Sequence, residues 1–267
     1  MVLQVLRHEL AGMALREERR PGLNNYTLNE TFVDPSGVRI CALLHGGSNA
    51  LPHLLSSGEH SPAVAEIVRR CFPAHSVSRA DVAIDFDGPG CFDKLRNVCF
   101  GIARQRSIKW NTYGDFEDDR DPTQGRTAYL GSRKSAVFVR LYEKGLKENI
   151  TRSSVVSFSP NWCRLEVEVK PPTKIARAAA AGWPPQQFWG SSPWSRNLLS
   201  LAAGVDVERV TMTVRKETEA RRALRHMFTQ YRSAIETVIA EEGGSDDIIM
   251  RLAREIWDQS NVETIAA

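Results

Sequence analysis

The sequence predicts an α+β fold, an antiparallel β-sheet core with flanking helices and a helical C-terminal part. Three observations carry that prediction. Runs in which apolar and polar residues alternate recur up to about residue 170. Stretches with helical spacing lie between them, and beyond that point only helical patterns occur. A chain of 267 residues is long enough to bury a sizeable core in one or two domains.

Residues 1–20 read as a charged leader. Charges interrupt every apolar run in "MVLQVLRHELAGMALREERR", so neither a signal peptide nor a spanning helix is expected there. "YTLNETFVD" and "GVRICALLHGG" follow as strands around the turn "DPSG". Ser61-Pro62 suggests an N-cap with proline at the first position of a helix that Pro73 ends. "SRADVAIDFDG" is a strand, and residues 92–105 place Phe92, Leu95, Val98 and Ile102 at helical spacing. The acidic stretch "GDFEDDRDPTQG" reads as a solvated loop, since it lacks the glycine and glutamate placement of a calcium loop. It leads into the hairpin "TAYLGSRKSAVFVRLYEKGLKE", after which "NWCRLEVEVK" is one more strand. A helix in "PPTKIARAAAAG", a long one over 213–242 and a shorter one in "SDDIIMRLAREIWDQS" complete the chain. A main domain over 21–205 and a helical C-terminal region over 206–267 are expected.

Composition excludes more than it selects. A net charge of +3 permits nucleic-acid binding without arguing for it. Five scattered cysteines without a CxxC pair are poor material for a disulfide framework or structural zinc, and they suit a reducing cytoplasm. No run is apolar for long enough to cross a bilayer, so no membrane partner is expected. The six histidines form no HxH or HExxH, and neither a GxSxG elbow nor a P-loop is present.

Parity sorts the strand faces. Arg79, Asp81, Ala83, Asp85 and Asp87 share one face of their strand, and Arg164, Glu166, Glu168 and Lys170 one face of theirs. Phe138, Arg140, Tyr142 and Lys144 form a third such set. Each strand thus has an apolar face and an ionisable one. A half-solvated antiparallel sheet with charges in water would look the same. The uneven distribution also suits another role: clustered carboxylates repel unless a divalent cation relieves them, and oxygen ligands favour Mg²⁺ or Mn²⁺. Carboxylate-held metal, cations and a positioned hydroxyl together fit phosphoryl transfer. Tyr142 is the favoured nucleophile, because Arg140 and Lys144 beside it would favour its phenolate. Tyr129, before the Gly131 turn, is the competitor.

Two further features admit two readings each. Trp183, Phe188 and Trp189 suit base stacking but more readily anchor packing. The basic half of the long C-terminal helix, with Arg221, Arg222 and Arg225, fits either a DNA backbone or a solvated face.

"SRADVAIDFDG", "YLGSRKSAVFVRLYEKGLKE" and "CRLEVEVK", in this order, resemble the Rep_trans family of replication initiation factors. These initiate rolling-circle replication of plasmids and filamentous phages and are related to relaxases of mobile elements. The resemblance covers roughly residues 25–170 and is carried mainly by the second segment. It implies a metal-dependent DNA nicking and joining enzyme, with the nucleophile on Tyr142 and the acidic metal positions on Asp81, Glu166 and Glu168, and Asp85 beside them. Arg140, Lys144, Arg133 and Arg164 would contact phosphate or orient it. The implied partners are double-stranded supercoiled origin DNA, single-stranded DNA and a host helicase; monomer and homodimer both stay open. A conjugative relaxase and a DNA-binding regulator that has lost cleavage are the alternatives.

Overall fold

The computed structural model describes residues 1–14, 16–114, 116, 124–151, 157–210 and 212, with 226–228, 230–241, 251 and 254 beyond them. The chain divides into two compact units, Met1–Thr213 and Val214–Ala267.

The first unit contains two sheets, both antiparallel throughout. The first runs β1 (Arg16–Pro21), β2 (Leu28–Val33), β3 (Arg39–His45) and β4 (His53–Ser56) in simple sequence order. Helices α1 (Val2–Glu9) and α2 (Ser61–Cys71) supply its core, where Leu6, Leu10, Val64 and Ile67 meet Phe32, Ile40, Cys41 and Leu43. The charged leader therefore contains α1 and β1. Its amphipathic signal is Leu6 and Leu10, four residues apart and both fully buried. The expected cap is displaced by one residue: His60 holds the cap position of α2, Ser61 is the first helical residue and Pro62 the second. At the β2–β3 turn the Asp34 carboxylate accepts hydrogen bonds from the Ser36 and Val38 N–H groups and from the Ser36 hydroxyl.

The second sheet has the order β5 (Ala80–Phe86), β9 (Cys163–Val169), β8 (Val137–Glu143), β7 (Thr127–Leu130), β6 (Trp110–Tyr113). The strand latest in sequence thus sits between the earliest and the hairpin, and its apolar side chains are the most completely buried: Leu165, Val167 and Val169 expose no surface. Their face, with Val139, Leu141 and Leu130, packs on α3 (Cys91–Gln105), on a 3₁₀ helix (Pro185–Ser191) and on α6 (Pro193–Ala203). Leu95, Cys99 and Ile102 contribute from α3, Trp189 from the 3₁₀ helix, and Leu198 and Leu199 from α6. Trp183 and Phe188 meet edge to face at 5.3 Å inside this core, so the three aromatics serve packing and are closed to a base.

Two glycines are dictated by backbone geometry. Gly131 turns β7 into β8 with φ +87°, and a Cβ there would lie 3.2 Å from the Val137 carbonyl oxygen. Gly145 is the second residue of α4 (Lys144–Thr151), where the Ser159 carbonyl oxygen would come within 1.8 Å of a Cβ. Close approach of the 157–162 segment to α4 requires glycine there, and Gly145 N–H donates to the Trp162 carbonyl at 2.9 Å.

A buried ion pair fixes the end of β8. Arg126, stacked at 4.3 Å on the Phe92 ring, binds Asp93 at 3.0 Å and Glu143 at 2.9 Å. Cys91, heading α3, and Cys163, heading β9, are joined as a disulfide (S–S 2.26 Å), a pairing their spacing in sequence did not suggest. No helix among the described residues is long and apolar enough to cross a membrane. In the second unit the helix Arg232–Glu241 is described, with Arg232 and Glu236 paired one turn apart at 2.8 Å. Arg221, Arg222 and Arg225, half of the long helix 213–242, all but Arg251 and Arg254 of the shorter helix after it and most of the acidic loop lie outside the described residues.

Candidate active site

The apolar face of the second sheet is sealed by helices; its other face carries the ionisable residues. Register arranges them in three rows across the strands. Asp81, Glu168 and Phe138 lie opposite one another on β5, β9 and β8. The next row is Ala83, Glu166, Arg140, Tyr129 and Asn111, reaching β6 through β7. The third is Asp85, Arg164, Tyr142, Thr127 and Tyr113. Alternation within each strand points these side chains the same way. Lys144 stands apart: β8 ends at Glu143, and Lys144 is the first residue of α4, where it pairs with Glu148 and lies 5.7 Å from the Trp162 ring. The strand parity that placed it beside Tyr142 stops one residue short of it.

Asp81, Asp85, Glu166 and Glu168 each have a cation, while Asp87, just past the end of β5, accepts a hydrogen bond from the Ser159 hydroxyl at 2.7 Å. Arg79 Nη2 bridges Asp81 and Glu168, the latter at 2.7 Å. Arg140 Nη2 binds Glu166 and lies 3.8 Å from Asp81. Lys170 pairs with Glu168, and Arg164 grips Asp85 through two bonds of 2.6 and 2.7 Å. The carboxylate repulsion expected from sequence is therefore largely cancelled by three arginines and a lysine. Burial raises the Asp85 pKa, but the Arg164 and Trp162 hydrogen bonds outweigh it and leave the carboxyl lowered.

Tyr142 is half-buried, and its surroundings push its pKa up. Loss of solvent is the largest cause and the Glu166 charge the next; Arg164, which also hydrogen-bonds the phenol, and Arg140 pull the other way and lose. The expectation that Arg140 and Lys144 would favour the phenolate holds for Arg140 in sign only, since burial and Glu166 outweigh it. Lys144 is spent on Glu148, and the arginines are spent on carboxylates. Lys147, from α4, places its ammonium 5.3 Å from the Tyr142 ring.

The four acids named as metal positions occupy adjacent rows, and the same guanidinium nitrogens link Asp81 to Glu168 and to Glu166. Asp81, Glu166 and Glu168 offer the oxygen donors that Mg²⁺ or Mn²⁺ takes, but their carboxylate oxygens do not all come within 4.8 Å of one another, and guanidinium groups stand between them. Asp85 belongs to the Tyr142 row and is held by Arg164. Among the described residues, the tight grouping of potential ligand atoms, all within 4.8 Å of one another, is a different one: Asp34, Glu59 and His60 at the first sheet. There His60 Nε2 is 2.8 Å from Asp34 Oδ2, an ion pair or hydrogen bond that accounts for the closeness of these two residues.

Arg133 sits over the Tyr129 and Phe138 rings at 5.9 and 6.0 Å, along the first two rows and away from Tyr142. Tyr129 stacks on Phe138 at 5.7 Å. Arg140 Nε is buried with no acceptor among the described residues. Sequence reasoning gave no role to Arg79, which bridges two of the acids, or to Tyr113, although the alternation in "WNTY" marks the latter as facing the site.

Residues 75–180 match the model of the Rep_trans family, described as replication initiation factor. This span holds the entire second sheet and α3 to α5 (Lys174–Ala180), so the resemblance read from the three sequence segments is borne out over the sheet that carries them. Among curated proteins no match is found. A solved structure, "Structure of Rolling Circle Replication Initiator Protein from Geobacillus stearothermophilus", is 15% identical, with 78% of this chain and 90% of that chain covered and a TM-score of 0.48.

Proposed function

We propose that this chain initiates rolling-circle DNA replication by nicking and later rejoining one strand at an origin, with Tyr142 as nucleophile. The observation that carries the reading is the row Asp85–Arg164–Tyr142 beside the row Glu166–Arg140, within the segment that matches replication initiation factors. A phenol, two arginines and three clustered acids on one open sheet face are what attack on a phosphodiester needs.

In the forward step the Tyr142 oxygen attacks phosphorus and forms a phosphotyrosyl ester with the 5′ end. The bond from phosphorus to the 3′ oxygen breaks, its electron pair leaves with that oxygen, and the phenolic proton ends on the 3′-hydroxyl. That hydroxyl primes synthesis. The reverse attack reseals the strand, and because one phosphodiester replaces another, no nucleotide cofactor is consumed. Arg164 hydrogen-bonds the attacking oxygen, and the half-buried Arg140 guanidinium in the adjacent row would stabilise charge on the phosphate oxygens. Asp81, Glu166 and Glu168 would hold Mg²⁺ or Mn²⁺, which when bound supplies Lewis-acid polarisation of a phosphate oxygen. Arg79, half exposed at its position between Asp81 and Glu168, has room to swing aside. Supercoiled origin DNA, the exposed single strand and a host helicase are the partners this chemistry calls for, in the cytoplasm of a cell carrying a plasmid or phage.

One observation favours a second reading. With Arg79, Arg140, Arg164 and Lys170 answering the acids, the face is stable without a metal, as a DNA-binding regulator without cleavage would be. A conjugative relaxase would use the same residues and differs only in the element it serves. Supercoiled DNA of the parent element, incubated with the protein and Mn²⁺ or Mg²⁺, should become an open circle. Tyr142→Phe and chelation should each abolish this. Tight binding without nicking under all these conditions would favour the regulator.

A further inference from the structure

The site face is divided by chemistry. On β5 and β9 the rows carry acids and arginines; on β7 and β6 the same rows continue as Thr127 and Tyr113, and as Tyr129 and Asn111, with no charge. Tyr113 ends β6, the edge strand, and 74% of its surface is exposed. Its row neighbour is Thr127, whose own neighbour is Tyr142, so two strand spacings, about 10 Å, separate the two tyrosines. Tyr129 differs: Phe138 covers one side of its ring. The backbone pairing of Tyr113 with Thr127 holds its Cα in place, and Trp110, at the other end of β6, is anchored edge to face against Phe100 at 5.6 Å.

We infer that Tyr113 is a stacking platform for an unpaired base of the strand whose phosphate lies at Tyr142. The inference rests on the proposed DNA chemistry and adds a subsite to it. The arginine half of the face takes the phosphate, while the uncharged half, an aromatic ring with Thr127 and Asn111 around it, takes the base. Aromatic side chains on an exposed sheet stack bases with little sequence preference. In a duplex, base faces are already occupied by their neighbours, so the subsite selects single-stranded DNA. This gives the site a means of favouring melted over paired substrate without reading sequence.

The test uses the full chain carrying Tyr142→Phe, so that binding is separated from cleavage. A fluorescein-labelled single-stranded oligonucleotide of mixed sequence and its duplex serve as probes. Adding Tyr113→Ala or Tyr113→Leu should weaken single-strand binding about ten-fold, from the loss of one stacked base, and leave duplex binding unchanged. Tyr113→Phe should bind like the parent. Because the ring is solvent-exposed, thermal melting of the three variants should coincide. Unchanged single-strand affinity in Tyr113→Ala would overturn the inference and leave the nicking proposal standing. A loss in Tyr113→Phe equal to that in Tyr113→Ala, or an equal loss on duplex, would overturn stacking as the mode of contact. Failure of the parent to bind either probe would overturn the DNA reading and this inference with it.

Discussion

Removing the Arg140 side chain should destabilise the first unit, because Glu166 beneath it would lose the cation that compensates its burial. Glu166 retains 10% of its side-chain exposure and Arg140 28%, so both are largely withdrawn from water. Breaking a fully buried pair by deleting one partner costs about 3–5 kcal/mol. The residual exposure of Arg140 and the remaining charge of Arg79 nearby reduce this to about 2–3 kcal/mol for Arg140→Ala. In a unit of this size, Met1–Thr213, that corresponds to a fall in Tm of about 5–10 °C. The Glu166→Gln change removes the charge that needs compensating, so Arg140→Ala should cost much less in that background. Thermal or urea unfolding of the two single variants and the double variant closes the cycle. A coupling of at least about 1 kcal/mol is expected, and Asp81→Asn should couple more weakly, since Asp81 is 3.8 Å from Arg140 and 31% exposed. Additivity within about 0.5 kcal/mol would refute the reasoning, because it would mean that Glu166 does not depend on Arg140.

Other consequences follow from the same geometry. Since burial and Glu166 raise the Tyr142 pKa, the phenol is the dominant form at neutral pH, and single-turnover nicking should climb with pH, about ten-fold per unit, well into the alkaline range; a plateau near pH 7 would contradict this. Asp34, held to a pKa of about 2 chiefly by the Ser36 hydroxyl and also by His60 and Val38, should stabilise the β2–β3 turn above the ordinary carboxyl range. That stability is lost as pH falls through about 2, so acid titration of Tm should be flatter in Asp34→Asn than in the parent. The Cys41 and Cys99 thiols are pushed up to about 12 by burial, so native protein treated with iodoacetamide at pH 8 should show both unmodified in its peptide map, and rapid labelling would contradict their environment.

Much of this sheet was legible because alternation is a local property. β5, β8 and β9 each announce an apolar and an ionisable face in their own seven residues, and parity alone placed Tyr142, Arg140, Asp81 and Glu166 on one side. What parity cannot provide is register. Nothing local says that β9 inserts between β5 and β8, and that arrangement decides that Arg164 meets Asp85 and Arg140 meets Glu166. The acids therefore looked under-compensated in sequence, when cross-strand partners supply their cations. The end of β8 was misplaced for a related reason. Lys144 continues the alternation perfectly, but Gly145 and the close approach of Ser159 turn the chain into α4 at that residue. The first sheet was half visible: β2 and β3 were clear, whereas charges on α1 and β1 concealed two buried leucines behind what looked like a solvated leader. The Cys91–Cys163 pairing joins residues far apart in sequence, so no spacing rule could suggest it.

The central claim, that Tyr142 carries the covalent chemistry, is tested most directly by finding the residue to which DNA becomes attached. Protein incubated with supercoiled DNA of its own element and Mn²⁺ would be denatured in detergent, digested with nuclease and protease, and its peptides mapped by mass spectrometry. The account predicts a nucleotide linked through phosphate to Tyr142 in the peptide containing "LYEK", absent from Tyr142→Phe. An adduct on Tyr129, or on any other residue, would contradict it.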